Sequence, residues 1–229
     1  MKKAFFLIIL LFADYTIHAQ CNRFEIGIEG GPDVANSLIF SKNQSSHNLS
    51  SWEYQTAVSF SSGITALYKC SNRFSLKFGL SYQQNFSNFV YSYDANIIGS
   101  NVSYTEKMPV TNDYIVLPVL ARYSIGNPIR FFVNGGPYLG YLLKGTIQGN
   151  FRSANYETTE DVTNSEYRVD FGASAGFGVG MNIIDRLGLE IEARGNYGLI
   201  NVNKAYTSFN ETRNFSGNLL IGLRCNLGK

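Results

Sequence analysis

Ten ionisable side chains stand at alternate positions of short apolar segments, where solvated residues would not be expected. They are Glu25, Glu29, Asp170, Glu190 and Glu192, with Lys77, Arg122, Arg168, Arg194 and Arg224. Five acids against five bases, all on one parity of their segments, can pair with one another. Charges withdrawn from water require such partners. Acid–base chemistry would need a general base beside a nucleophile or an acid. The one histidine beyond the leader, His47, sits in "QSSHNLS", a polar stretch that reads as ordinary solvated loop. The residues thus point to ion pairing rather than catalysis, and they predict neither a metal nor a cofactor site. Cys21, Cys70 and Cys225 match no zinc or haem spacing; in an exported chain, Cys21 could reach Cys70 or Cys225, or all three could be free thiols.

The elements that must hold these charges are β-strands. In "RVDFGASAGFGVGMN" (168–182), Val169, Phe171, Ala173, Ala175, Phe177, Val179 and Met181 share one parity. Arg168, Asp170, Gly172, Ser174, Gly176, Gly178 and Gly180 share the other. A period of two is a strand with unlike faces. The same alternation runs through "RFEIGIE", "VSFSSGITALYK", "RFSLKFGLSYQ", "RLGLEIEARGNYGL" and "NLLIGLRCNLGK". Two further segments, "DYIVLPVLARYS" and "IRFFVNGGPYLGYLLK", are apolar on both parities. The total is eight strands. Short links at 70–73, 124–128 and 182–186 alternate with long polar stretches at 31–55, 84–113, 145–166 and 200–214. Short turns on one rim and long loops on the other are the layout of a transmembrane barrel, with both termini on the short-turn, periplasmic side.

Alternation alone also fits a soluble barrel with its apolar face inward. Three features favour apolar-out. A solvent-exposed glycine column would be a weak strand, whereas inside a narrow barrel those glycines make room for large neighbours. The charged parity is balanced in sign. Aromatics collect near strand ends on the apolar parity, Phe24, Tyr68, Phe74, Tyr123 and Phe131 towards the short turns, and Tyr82, Phe86, Tyr141 and Tyr197 towards the loops, as interfacial girdles do. The fold class expected is therefore all-β, a closed eight-stranded antiparallel up-and-down transmembrane β-barrel whose lumen is filled by the charged cluster.

The N-terminus, "MKKAFFLIILLFADYTIHAQC", has two lysines, an apolar run from Ala4 to Ala13 and a small Ala19. It reads as a signal peptide over residues 1–19, cleaved after Ala19, ahead of one barrel domain over 20–229. The run is too short to span a bilayer, which takes roughly 20 residues, and Gln20 before Cys21 argues against lipidation. A formal net charge of +2 provides no basic footprint for nucleic acid. The partners expected are outer-membrane lipid and proteins met through the outer loops, where Trp52, Tyr91, Tyr93, Tyr104, Tyr156 and Tyr206 stand among Asn and Ser; the barrel itself is expected to be a monomer.

The segment "YIVLPVLARYSIGNPIRFFVNGGPYLGYLLKG" (114–145) resembles the PorT-like family of outer-membrane β-barrel proteins, through Leu117, Pro118, Arg122 and Tyr123 and then Gly136, Pro137, Tyr138, Gly140, Tyr141, Leu142 and Leu143. The resemblance implies an outer-membrane barrel, in some members linked to export or maturation of secreted proteins. One departure is the C-terminus, Leu227, Gly228 and Lys229, where many outer-membrane barrels end in an aromatic. Pairing β-hairpin residues that sum to about 252 would set Pro118 opposite Asn134 and Pro137 opposite Ile115, with the wall bent there or laterally weak. A narrow solute channel and a lipid-modifying enzyme are the alternative functions, the former requiring the long arginines to fold aside.

Overall fold

A computed structural model describes residues 23–41, 50–97, 100–151, 156–204 and 210–228. The eight segments all form strands: β1 Phe24–Ser41, β2 Ser50–Lys69, β3 Phe74–Ile97, β4 Ser100–Ile125, β5 Ile129–Phe151, β7 Val169–Ile184, β8 Leu187–Gly198 and β9 Asn210–Asn226, with a short β6, Tyr156–Asp161, paired to β5. Every pairing in the sheet is antiparallel, in the order β4-β3-β2-β1-β9-β8-β7-β5-β6, and an additional β4–β5 ladder closes a ring of eight. Closure removes the sheet edges, which is what allows backbone to cross hydrocarbon.

The faces are inverted relative to a water-soluble protein. Phe177 and Val58 are 66% and 71% exposed, while Glu192 and Arg122 are 2% exposed. An apolar wall around buried charge is unfavourable in water and suited to lipid. On β8 every second residue is buried, and those residues are Gly188, Glu190, Glu192, Arg194, Asn196 and Gly198. β4 and β5 are apolar on both parities for a different reason. Their inward residues Tyr114, Val116, Tyr138 and Leu142 form an apolar cluster of the interior, so this half of the two strands faces the lumen with apolar side chains, while Arg122 and Asn134 nearer the short turn face it with polar ones. Phe24 packs on Tyr68 and Phe74 on Tyr123 at ring-centroid separations of 4.9 and 5.0 Å, on the short-turn rim.

The β2–β3, β4–β5 and β7–β8 connections are the short turns expected; in the second, Gly126 takes a left-handed φ of 99°, which glycine adopts without steric cost. The stretches read as long loops differ from expectation. Most of 84–113 is strand, the β3–β4 ladder running from Phe74↔Tyr123 out to Ile97↔Ser100, and β1 and β2 extend far into 31–55. Few residues of this ribbon are apolar at alternate positions, so its strands carry little of that signal. Of the loop aromatics, Trp52 is in register with Tyr91 and Tyr93 with Tyr104. Tyr206, His47, Cys21 and the leader fall outside the described residues.

The β4–β5 register also differs. Pro118 faces Tyr138, Arg122 faces Asn134 and Ile115 faces Tyr141. Residues 126–130 lie between the paired Ile125 and Phe131, a turn as long as the expected link 124–128 but displaced two residues along the chain, and the offset follows. The ladder interruptions fall on opposite sides of β4: towards β3 pairing skips Leu117 and Pro118, and towards β5 it skips Val119 and Leu120.

At the long-hairpin end, 161–168 and 199–204 lean on one another. Tyr167 N–H donates to Val202 O at 2.8 Å, Lys204 N–H to Ser165 O at 3.1 Å, and Glu166 bridges Asn203.

Candidate functional site

Strand alternation aims the charges inward, and the closed ring then brings distant strands within reach. β8 supplies Glu190, Glu192 and Arg194 from one face, two residues apart. Opposite them, Lys77 Nζ of β3 lies 2.8 Å from Glu192 and 2.7 Å from Glu29 of β1. Arg122 of β4 reaches Glu190 at 2.6 Å and Glu192 at 3.3 Å. Arg194 closes the loop to Glu192 at 2.6 Å and Glu29 at 2.9 Å. Nearer the short turns, Arg224 of β9 joins Glu25 at 2.6 Å, and Lys69 joins the same carboxylate at 2.5 Å. Arg224 Nε is 2.9 Å from Glu190, close enough for an ion pair but too poorly aligned to donate a hydrogen bond. The pairs form one continuous network linking Glu25, Glu29, Glu190 and Glu192 with Lys69, Lys77, Arg122, Arg194 and Arg224.

Apolar and small residues shape the rest. The Arg122 guanidinium lies 3.9 Å from the centroid of the Phe132 ring, within cation–π range, and its Nε donates to Asn134 at 2.9 Å. The β7 glycine column makes this possible. A Cβ at Gly178 would strike Phe132, one at Gly172 would strike Tyr138, and one at Gly180 or Gly176 would crowd Glu190 or Glu192.

Towards the long hairpins the ion pairs give way to hydrogen-bonded polar groups. Tyr138 donates to Asp170 at 3.0 Å, Asn214 donates to Asp170 at 3.1 Å and to the Tyr114 hydroxyl at 3.2 Å. Gln83 and Asn196 both donate to Ser216, at 3.2 and 2.9 Å. The void between these groups is about 10 Å³, about the space of a single water. Asp33 is fully buried close to Gln83 and to Asn218, its register partner, neither of them aligned for a well-formed hydrogen bond to its carboxylate.

Of the ten charges singled out in the sequence, Glu25, Glu29, Lys77, Arg122, Glu190, Glu192, Arg194 and Arg224 meet in the network. Asp170 is buried apart from it, among Tyr138 and Asn214. Arg168 is not in the interior. It is exposed, one residue before β7 begins, so its parity no longer directs it inward. Lys69, Phe132, Asn134, Tyr138 and Asp33 were not anticipated. Extending the β2 parity by two residues would have found Lys69; Asp33 follows Gly30, Gly31 and Pro32, which read as a strand end. Cys70 and Cys225 are free and exposed. Among the described residues no cluster of His, Cys, Asp and Glu could hold a metal.

The family model for the outer membrane protein β-barrel domain matches residues 18–204. No curated protein sequence matches the chain. Among solved structures, the outer membrane protein OprG from Pseudomonas aeruginosa superimposes with a TM-score of 0.50 at 9% identity, over 89% of this chain and 96% of that one. Neisserial surface protein A gives 0.43 at 16% identity, over 89% and 96%. Ail, the attachment invasion locus protein of Yersinia pestis, gives 0.40 at 10% identity, over 88% and 99%. At these identities the likeness is one of fold.

Proposed function

The chain belongs to the outer membrane protein β-barrel domain family, and from that premise we propose that it is a non-conducting, non-enzymatic barrel that works as a structural and interaction protein of the outer membrane. Its lumen is plugged by charge-paired side chains, and its long hairpins, whose sequence carries Trp52, Tyr91, Tyr93 and Tyr104, meet protein partners at the cell surface. The finer kinship with PorT-like barrels, carried by the segment 114–145, extends the reading to assistance in secretion or surface processes. Residues 1–19 serve as the cleaved leader, and the mature barrel is a monomer in outer-membrane lipid.

The observation that carries the plugged lumen is the bridge from Lys77 to Glu192. β3 and β8 stand four places apart in a ring of eight, so this ion pair spans the barrel, and Arg122 adds a second crossing one strand away. An eight-stranded barrel is just wide enough for side chains to fill. A solute path would have to separate buried pairs, each of which leaves an uncompensated charge when broken. The test is single-channel recording in planar bilayers on the detergent-folded protein: no steady openings are expected, and steady conductance would overturn the plugged reading in favour of a narrow channel.

A further inference from the structure

At the short-turn end the interior opens into a vestibule of about 550 Å³, roofed by Arg122 and Phe132 and walled by Lys69, Arg130, Glu190 and Arg224. Its positive charge is not balanced. Glu25 is shared between Lys69 and Arg224, and Glu190 between Arg122 and Arg224. Arg130, half-buried in the wall, donates to the amide oxygen of Asn182 at 2.7 Å and meets no carboxylate among the described residues. Arg23, at the mouth, likewise has no carboxylate partner there. Asp185 and Arg186 on the adjoining turn bring one charge of each sign. With Arg122 also paired to Glu192, Lys69, Arg224, Arg130 and Arg23 face two fully engaged carboxylates, Glu25 and Glu190, in a blind-ended cavity where solvent screens less than at an open surface.

The other donors suit an oxygen-rich anion. Ser71 Oγ accepts from the N–H groups of Arg73 and Phe74 at 3.3 and 3.0 Å, which leaves its own proton to donate. It lines the vestibule beside Asn72 and Ser124. Guanidinium forks and hydroxyls converging on one space match the several acceptor oxygens of a phosphate.

We propose that this vestibule binds an oxyanion of the phosphate class, with Arg130 and Arg23 as its principal ligands and Lys69 and Ser71 completing the shell. The phosphate could come from solution or from a lipid headgroup at the short-turn face.

Cys70 lines the same cavity with an exposed thiol and provides a native reporter. In a Cys21→Ser, Cys225→Ser background, alkylation of Cys70 by N-ethylmaleimide would be timed on the folded full chain at fixed ionic strength, with inorganic phosphate replacing chloride. We expect phosphate to slow alkylation saturably in the millimolar range, Arg130→Gln to raise the half-saturating concentration at least tenfold, and Lys144→Gln at the opposite rim to leave it unchanged. Arg23→Gln, at an exposed position, gives the same readout should Arg130→Gln fail to fold. Slowing in phosphatidylglycerol nanodiscs relative to phosphatidylcholine, without added phosphate, would identify the headgroup as the source. Equal rates in phosphate and chloride together with equal rates in the two lipids would overturn the proposal, as would protection that survives both arginine substitutions.

Discussion

Lys77 of β3 and Glu192 of β8 meet at 2.8 Å, although 115 residues and the full width of the barrel separate them. Glu192 also receives Arg194 and Arg122, which makes it the most connected carboxylate of the interior. Glu192→Gln would keep the shape and remove the charge, leaving three buried cations short of a partner. Breaking a buried pair in this way costs about 3–5 kcal/mol. We expect urea unfolding in detergent to shift by that amount, and the heat-modifiable band to convert at lower temperature. Arg224→Gln, nearer the open vestibule where water can replace the lost partner, should cost less. Equal losses for the two variants would contradict the layered account.

The glycine column allows a paired comparison. At Gly178 an added Cβ would meet the Phe132 ring and the Ile191 carbonyl, whereas at Gly135 it would meet nothing within 4 Å. Gly178→Ala should therefore destabilise by about 1–3 kcal/mol through overpacking. Gly135→Ala should be neutral or stabilising by about 0.4–1 kcal/mol, through the lower entropy of the unfolded chain. Thermal unfolding of the two variants in the same micelles checks both, and Phe132→Leu should recover part of the Gly178→Ala loss.

How far these relationships were readable in the sequence depended on burial. Where one face meets lipid and the other a charged lumen, as on β7 and β8, period-two alternation identifies both faces, and eight of the ten chosen charges occupy the network. Where both faces are apolar, on β4 and β5, alternation vanishes and register rests on the turn. There the turn is centred on residue 128 rather than 126, which moved the expected pairing of Pro118 from Asn134 to Tyr138. Beyond the membrane, strands such as the outer half of β3, residues 85–97, are rich in Asn, Ser and Tyr without apolar alternation and looked like loop. Arg168 shows the complementary failure, since parity persists in the sequence after the wall that gives it meaning has ended.

Asp33 is a fully buried carboxylate between Gln83 and Asn218, neither of them aligned for a well-formed hydrogen bond to it. Asp33→Asn replaces a charge with a neutral amide of the same shape. Because a buried charge met only by poorly aligned amides is costly, the substitution should raise the urea midpoint at neutral pH without changing the slope of the transition. An unchanged or lowered midpoint would mean that Asp33 is paired in solution, for instance through a bridging water.

Glu166 makes the mouth of the barrel sensitive to pH. It lies on the cap that joins 161–168 to 199–204, accepts from Asn112 Nδ2 at 3.2 Å on both oxygens, and bridges Asn203. Burial pushes its carboxyl up from the ordinary value of 4.5, and the Asn112 hydrogen bond only partly opposes this. The folded cap thus binds the proton more tightly than the open chain does. Below 4.5 both forms are protonated and the cap carries no penalty; as pH rises through the elevated folded value, the penalty grows and cap stability falls. Amide exchange at Tyr167 and Val202, corrected for intrinsic rate, should accelerate from about pH 4.5 towards neutrality. Glu166→Gln keeps an oxygen for Asn112 and removes the titration, so its corrected exchange should be flat across the same window and slower than wild type at pH 7. A wild-type profile as flat as the variant's would show that Glu166 does not control the cap.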